Sequence, residues 1–535
     1  MGTQQAIGGP LRGFVESMRR IGSRPALFVD GKGHSYEDLG RLAGRIATTI
    51  RKTSPPSMPL VALLAHRSLT AYAGVLGILG AGKGYVPLNP KLPVERLLRI
   101  LTLAGPDTLV VGKEAKKHLE LLLPKLPQRT VIICPDLEDL DSLSLAYPQH
   151  RFVPGSAMAE GSVTDGSSRE GKDPITYLLF TSGSTGDPKG VPVRQSNLAA
   201  YVGYIAERYQ VTEEDRFSQM FEMSFDLSVH DMFICWERGA CLYAMPDHTV
   251  MAPSKFIRDH GITMWFSVPS VIGVMEKLGM LKPGSFPTLR GSLFCGEPLL
   301  SRHAQAWQEA APNSFVENLY GPTEATIAIT HYRWNPATSP ALSKAGITPI
   351  GQAFLGQATC VVNPEFRSVA PGENGELCLS GSQVTQGYWN NPEQTTKQFV
   401  TLPDTGDQVW YRTGDLVMED QDGCLQYLGR IDHQVKIRGH RVELPEVECT
   451  LREASGSQQV AALAWPVKEG LAEGIVAFVA GGAECEAGPI LQHCRRVLPD
   501  YMVPSQVRFL EHLPLNVHGK TDRLKLRELL KEEQR

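Results

Sequence analysis

The segment Thr181-Ser-Gly-Ser-Thr-Gly-Asp-Pro-Lys-Gly190 concentrates the residue types that hold a phosphate, and it follows directly on the apolar run Ile175-Thr-Tyr-Leu-Leu-Phe180. Gly183 and Gly186 permit tight turns, and Ser182, Ser184 and Thr185 carry hydroxyl donors. A loop of this kind leaving a strand can wrap a phosphate in backbone N–H groups. The spacing is not that of a Walker A loop, because Lys189 follows Asp-Pro and precedes Gly rather than Ser or Thr. A surface turn is the alternative for such a composition, and the place after a buried strand favours phosphate. Taken singly, Glu324, Asp415 and Lys520 read as a solvated acid, a turn aspartate and a turn lysine.

The elements that must position these residues are legible as alternating patterns. Val61–Ala65, Thr108–Gly112 and Thr130–Cys134 read as short buried strands, and Leu69 to Leu79 has helical spacing. Strand, helix and strand with crossovers of this length predict a parallel α/β sheet. Pro154 to Asp173 is Gly, Ser and charge and predicts a mobile surface loop. Gly423 to Ile437 reads as β-rich, Glu443 to Ala454 as a helix, and Gln459 to Val479 as strands again. A boundary near Arg430–Asp432 follows, and no internal repeat is present.

Composition bounds the function. At about 150 residues per domain, 535 residues predict two to four domains. Lys plus Arg is 53 and Asp plus Glu is 57, a balance of −4 that argues against a broad surface for nucleic acid or acidic lipid. Ten cysteines without a Cys-x-x-Cys pair suggest neither a zinc site nor a disulfide framework. Met1 to Arg20 has no signal-peptide core, and Ala6 breaks the myristoylation pattern that Gly2 would begin. No apolar run approaches the ~18 residues of a membrane span. The expectation is a soluble, cytoplasmic protein with reduced thiols.

The phosphate-type loop resembles the signature of the adenylate-forming superfamily: acyl-CoA synthetases, luciferases and the adenylation domains of nonribosomal peptide synthesis. Further segments carry the resemblance in family order. They are Asn318-Leu-Tyr-Gly-Pro-Thr-Glu324, Tyr411-Arg-Thr-Gly-Asp415, Gly429-Arg-Ile-Asp-His-Gln-Val-Lys-Ile-Arg-Gly439 and Asn516-Val-His-Gly-Lys-Thr-Asp-Arg523. The last departs from its relatives only in Val517-His518 before Gly-Lys.

The resemblance implies an α/β fold, with a large N-terminal domain of parallel-rich sheets and flanking helices over residues 1–431. A small mobile α+β C-terminal domain over residues 432–535 would carry Lys520. It also implies roles. Thr181, Ser182, Gly183, Ser184, Thr185, Gly186 and Lys189 would hold the phosphates of ATP, and Thr185 with Glu324 would hold Mg2+. Asp415 and Arg430 would bind the ribose, Tyr320 would stack on adenine, and Gly296, Glu297, Pro298, Asn318, Gly321 and Thr323 would line the nucleotide. Lys520 would bridge the attacking carboxylate and the α-phosphate, neutralising both. Asp432 would be the hinge that withdraws Lys520 before a thiol attacks.

Phe225-Asp-Leu-Ser-Val-His-Asp-Met-Phe233 is similar to the segment of amino-acid-activating members whose aspartate pairs with the substrate ammonium, which places Asp226 in that role. A buried carboxylate left unpaired is costly, so an acid lacking an ammonium should be rejected. Local alignment adds Leu227, His230, Ser267, Leu293, Cys295, Leu319, Ile327 and Ala328 as pocket walls. They carry no carboxylate, and the expected side chain is small and uncharged: alanine, serine, threonine or proline in size. Some segments resemble D-alanine–carrier protein ligases, and others resemble discrete prolyl-carrier ligases.

The reading is a freestanding ligase that charges the phosphopantetheine of a carrier protein acting in trans, without nucleic-acid or membrane partners. Transfer to coenzyme A, and a silent nucleotide-binding homologue, are the alternatives.

Overall fold

A computed structural model describes residues 9–126, 129–163, 173–183, 187–250, 252–431, 434–468, 471–481, 486–515 and 521–532. Two compact units divide the chain after Ile431. One holds residues 1–90, 100–180 and 190–431; the other joins 432–535 with two short segments, 91–99 and 181–189. The fold is α/β, with parallel-rich sheets in the larger unit.

The first sheet orders seven strands as Arg151–Pro154, Val131–Cys134, Thr108–Val111, Leu60–Leu64, Gly84–Leu88, Ile175–Thr181 and Lys189–Arg194. Its recorded pairs from Arg151–Pro154 through Ile175–Thr181 are parallel. Parallel strands are covered on both faces, which is why they read as unbroken apolar runs. The helix Leu69–Gly80 packs here, and its start is set by Ser68, whose hydroxyl accepts from the Ala71 amide at 3.2 Å. Gly77 lets this helix lie against Tyr36–Thr53: a Cβ there would sit 2.7 Å from the Ile46 Cβ.

A second sheet of nine strands has a parallel centre made of Phe315–Tyr320, Gly291–Phe294, Met264–Ser267, Arg216–Gln219, Cys241–Ala244 and Pro25–Val29. Antiparallel strands close both its edges. One face carries Trp265 stacked on Trp307, with ring centroids 5.8 Å apart. A third, antiparallel sheet includes Val409–Glu419 and Leu425–Arg430, and its register sets Asp415 opposite Arg430.

The smaller unit is α+β. Val460–Ala464, Ile475–Ala480 and Gln506–Leu510 form one sheet, and the hairpin Gln434–Ile437/His440–Glu443 belongs to another. Helices Leu444–Ser455, Ala487–Val497 and Arg523–Glu532 complete it.

The expected loop from Pro154 to Asp173 differs in its described first half. Gly155–Ala157 forms a 3-10 turn, and Met158 and Val163 are buried. The Ala159 amide donates to Thr49 Oγ1 at 2.9 Å, and Arg45 donates to the Gly155 carbonyl at 2.7 Å. Two apolar side chains and two anchoring hydrogen bonds hold a stretch whose average composition is polar. Residues 164–172 lie outside the described residues. Among the described residues the cysteines are free, and no helix is long and apolar enough to cross a membrane.

Candidate active site

In an open parallel sheet, loops at the C-terminal ends of the strands gather into one crevice. Asp226 follows the strand Arg216–Gln219 and begins the helix Leu227–Glu237. Its side chain makes no helix-capping hydrogen bond, although the carboxylate is buried. Burial pushes its pKa up to about 6; a hydrogen bond from Thr323 opposes the rise and the nearby Glu324 charge adds to it. A carboxylate in that state gains most from a cation brought to it.

One turn along the same helix lies His230, and residues four apart share a helix face. Its Nδ1 is 2.7 Å from the Tyr201 hydroxyl, and its ring packs 4.5 Å from that of Phe266. Burial pushes the His230 pKa down to about 3, so the imidazole is neutral. Leu227, Leu293, Cys295, Leu319, Ile327 and Ala328 are all buried. Leu293 pairs in register with Phe266 on the neighbouring strand, so the two share a sheet face.

Ser267, expected as a pocket wall, lies on the opposite face of its strand from Phe266. Side chains alternate along a strand, and Ser267 shares the face of Trp265, whose indole N–H donates to its hydroxyl at 3.1 Å. Phe266, from the other face, packs on His230. Both faces of this four-residue strand are buried, so its apolar pattern carries no phase.

The loop after Tyr320 folds back on itself. Ile329 donates its amide to the Tyr320 carbonyl at 2.8 Å, and a Cβ on Gly321 would lie 2.6 Å from the Ala328 Cα. Thr326 and Ile327 both have left-handed backbones, φ 58° and 75°, which β-branched residues rarely adopt. Gln383 holds them there: its side-chain amide donates to the Ala328 carbonyl at 2.7 Å, and its backbone carbonyl accepts from the Thr326 hydroxyl at 2.6 Å. Tyr201 and Gln383 belong to the site's construction and have no signature in the sequence, since each acts through a contact distant along the chain.

Asp415 is held from two sides, by the Tyr320 hydroxyl on one oxygen and by Arg430 at 2.9 Å on the other. Glu297 accepts from the Ser270 amide at 2.8 Å, beside Gly296 with φ 93°. Asn318 donates to the Pro349 carbonyl at 2.8 Å. Glu324 is fully buried and accepts from the Tyr388 hydroxyl at 2.8 Å. A buried carboxylate oxygen set of this kind suits a hard divalent cation.

The described phosphate-loop residues belong to the smaller unit. There the Ser182 hydroxyl donates to the Arg441 carbonyl at 2.8 Å and accepts from the Glu443 amide at 3.1 Å. The Gly183 amide donates to Glu446 at 3.2 Å, and Lys189 lies 3.5 Å from Glu443. Arg96 also pairs with Glu446. The Gly183 and Lys189 donors are thus directed at carboxylates, and the Ser182 hydroxyl at a backbone carbonyl. Ser184, Thr185, Gly186, Asp432 and Lys520 lie outside the described residues.

Comparisons with known proteins place the chain in a family. Residues 14–389 match the AMP-binding enzyme family, and residues 446–520 match the AMP-binding enzyme C-terminal domain. Tyrocidine synthase 3 of Brevibacillus parabrevis is 32% identical over 513 residues, which are 95% of this chain and 7% of that protein. The chain therefore spans a small part of the synthase's length. Novobiocin biosynthesis protein H of Streptomyces niveus is 32% identical over 520 residues, covering 95% of this chain and 81% of the relative. The Vibrio cholerae adenylation domain AlmE, solved in complex with glycyl-adenosine-5′-phosphate, superposes with a TM-score of 0.88 at 33% identity, covering 99% of both chains. The chain belongs to the AMP-binding enzyme family and is an ATP-dependent, AMP-forming ligase of the adenylation-domain type.

Proposed function

We propose that this ligase activates a small, uncharged amino acid and passes it to the phosphopantetheine thiol of a carrier protein. The observation that carries this reading is Asp226, a buried carboxylate with no side-chain capping bond to its helix and with no cation among the groups that shift its pKa. The substrate ammonium would pair with it, leaving the substrate carboxylate to attack the α-phosphate of ATP and release pyrophosphate. The thiol would then attack the aminoacyl carbonyl, expelling AMP. The bulk of Phe266, Leu293 and Leu319 favours a small side chain, and the glycyl-adenosine-5′-phosphate in complex with AlmE supports the same size class.

On this reading Asp415 accepts the ribose hydroxyls while Arg430 and Tyr320 hold its carboxylate still. Glu324, with Thr185, would hold Mg2+, which when bound offsets charge on the phosphoryl oxygens. Tyr388 fixes the Glu324 carboxylate from behind.

Amino-acid-dependent ATP–pyrophosphate exchange tests the proposal. The panel holds glycine, both enantiomers of the small amino acids, and short carboxylic acids without an amino group. Exchange with a small amino acid, followed by loading of a separately supplied phosphopantetheinylated carrier in preference to coenzyme A, is the expected result. Exchange confined to acids lacking an amino group overturns the role of Asp226.

A pH dependence follows from the same residue. Asp226 must be ionised to take the ammonium, and its pKa is raised, so the binding form accumulates as pH rises through about 6. At saturating ATP, kcat/KM for the amino acid is expected to rise about tenfold between pH 5 and pH 7. A flat profile over that range would remove Asp226 from this role.

A further inference from the structure

The tautomer of His230 is set by its surroundings. Among the described residues the Tyr201 hydroxyl has one hydrogen-bond partner, His230 Nδ1 at 2.7 Å. Tyr201 is fully buried, and burial raises its pKa well above the ordinary phenol value, so it keeps its proton. That proton goes to Nδ1, since otherwise a buried O–H would have no acceptor. With Nδ1 accepting, the neutral ring carries its hydrogen on Nε2. His230 is 1% exposed, and among the described residues Nε2 has no partner. A buried N–H donor is therefore left over on a residue one helical turn from Asp226, on the same helix face. Leaving such a donor unmade is costly, and a ligand acceptor brought to it would remove that cost.

We infer that His230 Nε2–H selects a substrate whose side chain carries an oxygen acceptor close to the α-carbon, serine and threonine being the smallest, and that Tyr201 is the positioning residue that fixes this tautomer. The inference rests on the amino-acid reading above and narrows it. An ammonium on Asp226 and a β-hydroxyl are two carbons apart, a short span suited to two side chains on adjacent turns. Alanine and proline satisfy Asp226 equally well but leave Nε2–H unpaired. Phe266, packed on the imidazole, prevents the ring from turning to solvent for a partner. The selection is thus chemical as well as steric: an apolar isostere fits the volume and forfeits the hydrogen bond.

The experiment compares isosteric pairs on the whole protein by ATP–pyrophosphate exchange: serine against 2-aminobutyrate, and threonine against valine. For the unaltered enzyme kcat/KM should favour the hydroxylated member of at least one pair by about tenfold or more. His230→Leu should bring that ratio close to one, and His230→Gln, whose amide can place a donor near the Nε2 position, should restore part of it. Tyr201→Phe should lower the ratio several-fold by freeing the tautomer, whereas a purely structural role would scale both members alike.

Ratios within twofold of one in the unaltered enzyme would overturn the inference, as would a ratio unmoved by His230→Leu. The first comparison requires no variant to fold. Exchange with glycine, alanine or proline alone would overturn this inference and leave the amino-acid reading standing. Exchange with no amino acid at all would overturn both.

Discussion

Lys520→Ala is expected to lower amino-acid-dependent ATP–pyrophosphate exchange by about 10²- to 10³-fold, the cost typical of removing one fixed donor from a developing charge. Two anions must meet for adenylation, a substrate carboxylate and an α-phosphate, and their repulsion opposes the attack. A lysine ammonium placed between them neutralises both, and the gain is greatest in the crowded transition state, where charge builds on the phosphoryl oxygens. Lys520 itself lies outside the described residues, but both ends of its segment are placed. Leu515 and Thr521 form an antiparallel bridge, and the Asp522 amide donates to the Pro514 carbonyl at 2.7 Å. Asp522 lies next to the start of the helix Arg523–Glu532.

The defect should be confined to one half-reaction. ATP binding should change little, and aminoacyl transfer from chemically supplied aminoacyl adenylate should persist. Lys520→Arg should recover only part of the rate, since a planar fork cannot replace a compact ammonium between two anions. Exchange at the unaltered rate in Lys520→Ala would show that the charge comes from elsewhere.

Asp226→Ala should raise KM for the amino acid by about 10²- to 10³-fold, the size of effect that follows when one partner of a buried ion pair is lost. The ammonium would enter a buried, largely apolar site with no counter-charge. Asp226→Asn should fail nearly as badly, because it keeps the shape and removes the charge. Selectivity should invert: propionate and similar acids, rejected by the unaltered protein, should be activated better by the alanine variant. Folding should not suffer, since burial already disfavours the carboxylate.

The sign of the stability effect can be checked by pH. The folded pKa of Asp226 lies above that of an exposed aspartate, so the buried group weakens the fold progressively as pH rises between about 4 and 6. The alanine variant should therefore melt at least as high as the parent at pH 7, with any advantage shrinking towards pH 4. Retained preference for amino acids over their deaminated analogues in Asp226→Ala would place the ammonium elsewhere.

Much of this protein was legible in one dimension because its chemistry is carried by contiguous segments. The phosphate-type segment after Phe180 and the Asn318–Glu324, Tyr411–Asp415 and Asn516–Arg523 stretches each gather donors or acceptors among a few neighbouring residues, and such patterns are carried by the sequence itself. The parallel sheet was legible for a similar reason: strands covered on both faces leave unbroken apolar runs such as Leu60–Leu64 and Thr108–Val111.

That same burial hides which side chain of the strand Met264–Ser267 meets His230. When both faces of Met264–Ser267 are apolar or packed, nothing in the string says whether Phe266 or Ser267 faces His230; only the pairing with Leu293 decides it. Tyr201, 29 residues from His230, and Gln383, 55 residues from Ala328, could not be found from spacing, because their roles exist only once distant strands and helices meet. Nor could composition show that Met158 and Val163 are buried within a polar stretch. Sequence alone determined which functional groups this enzyme carries and in what local turns. Tertiary structure decided which of them share a face, what state of protonation burial imposes, and which donor is left over for a substrate.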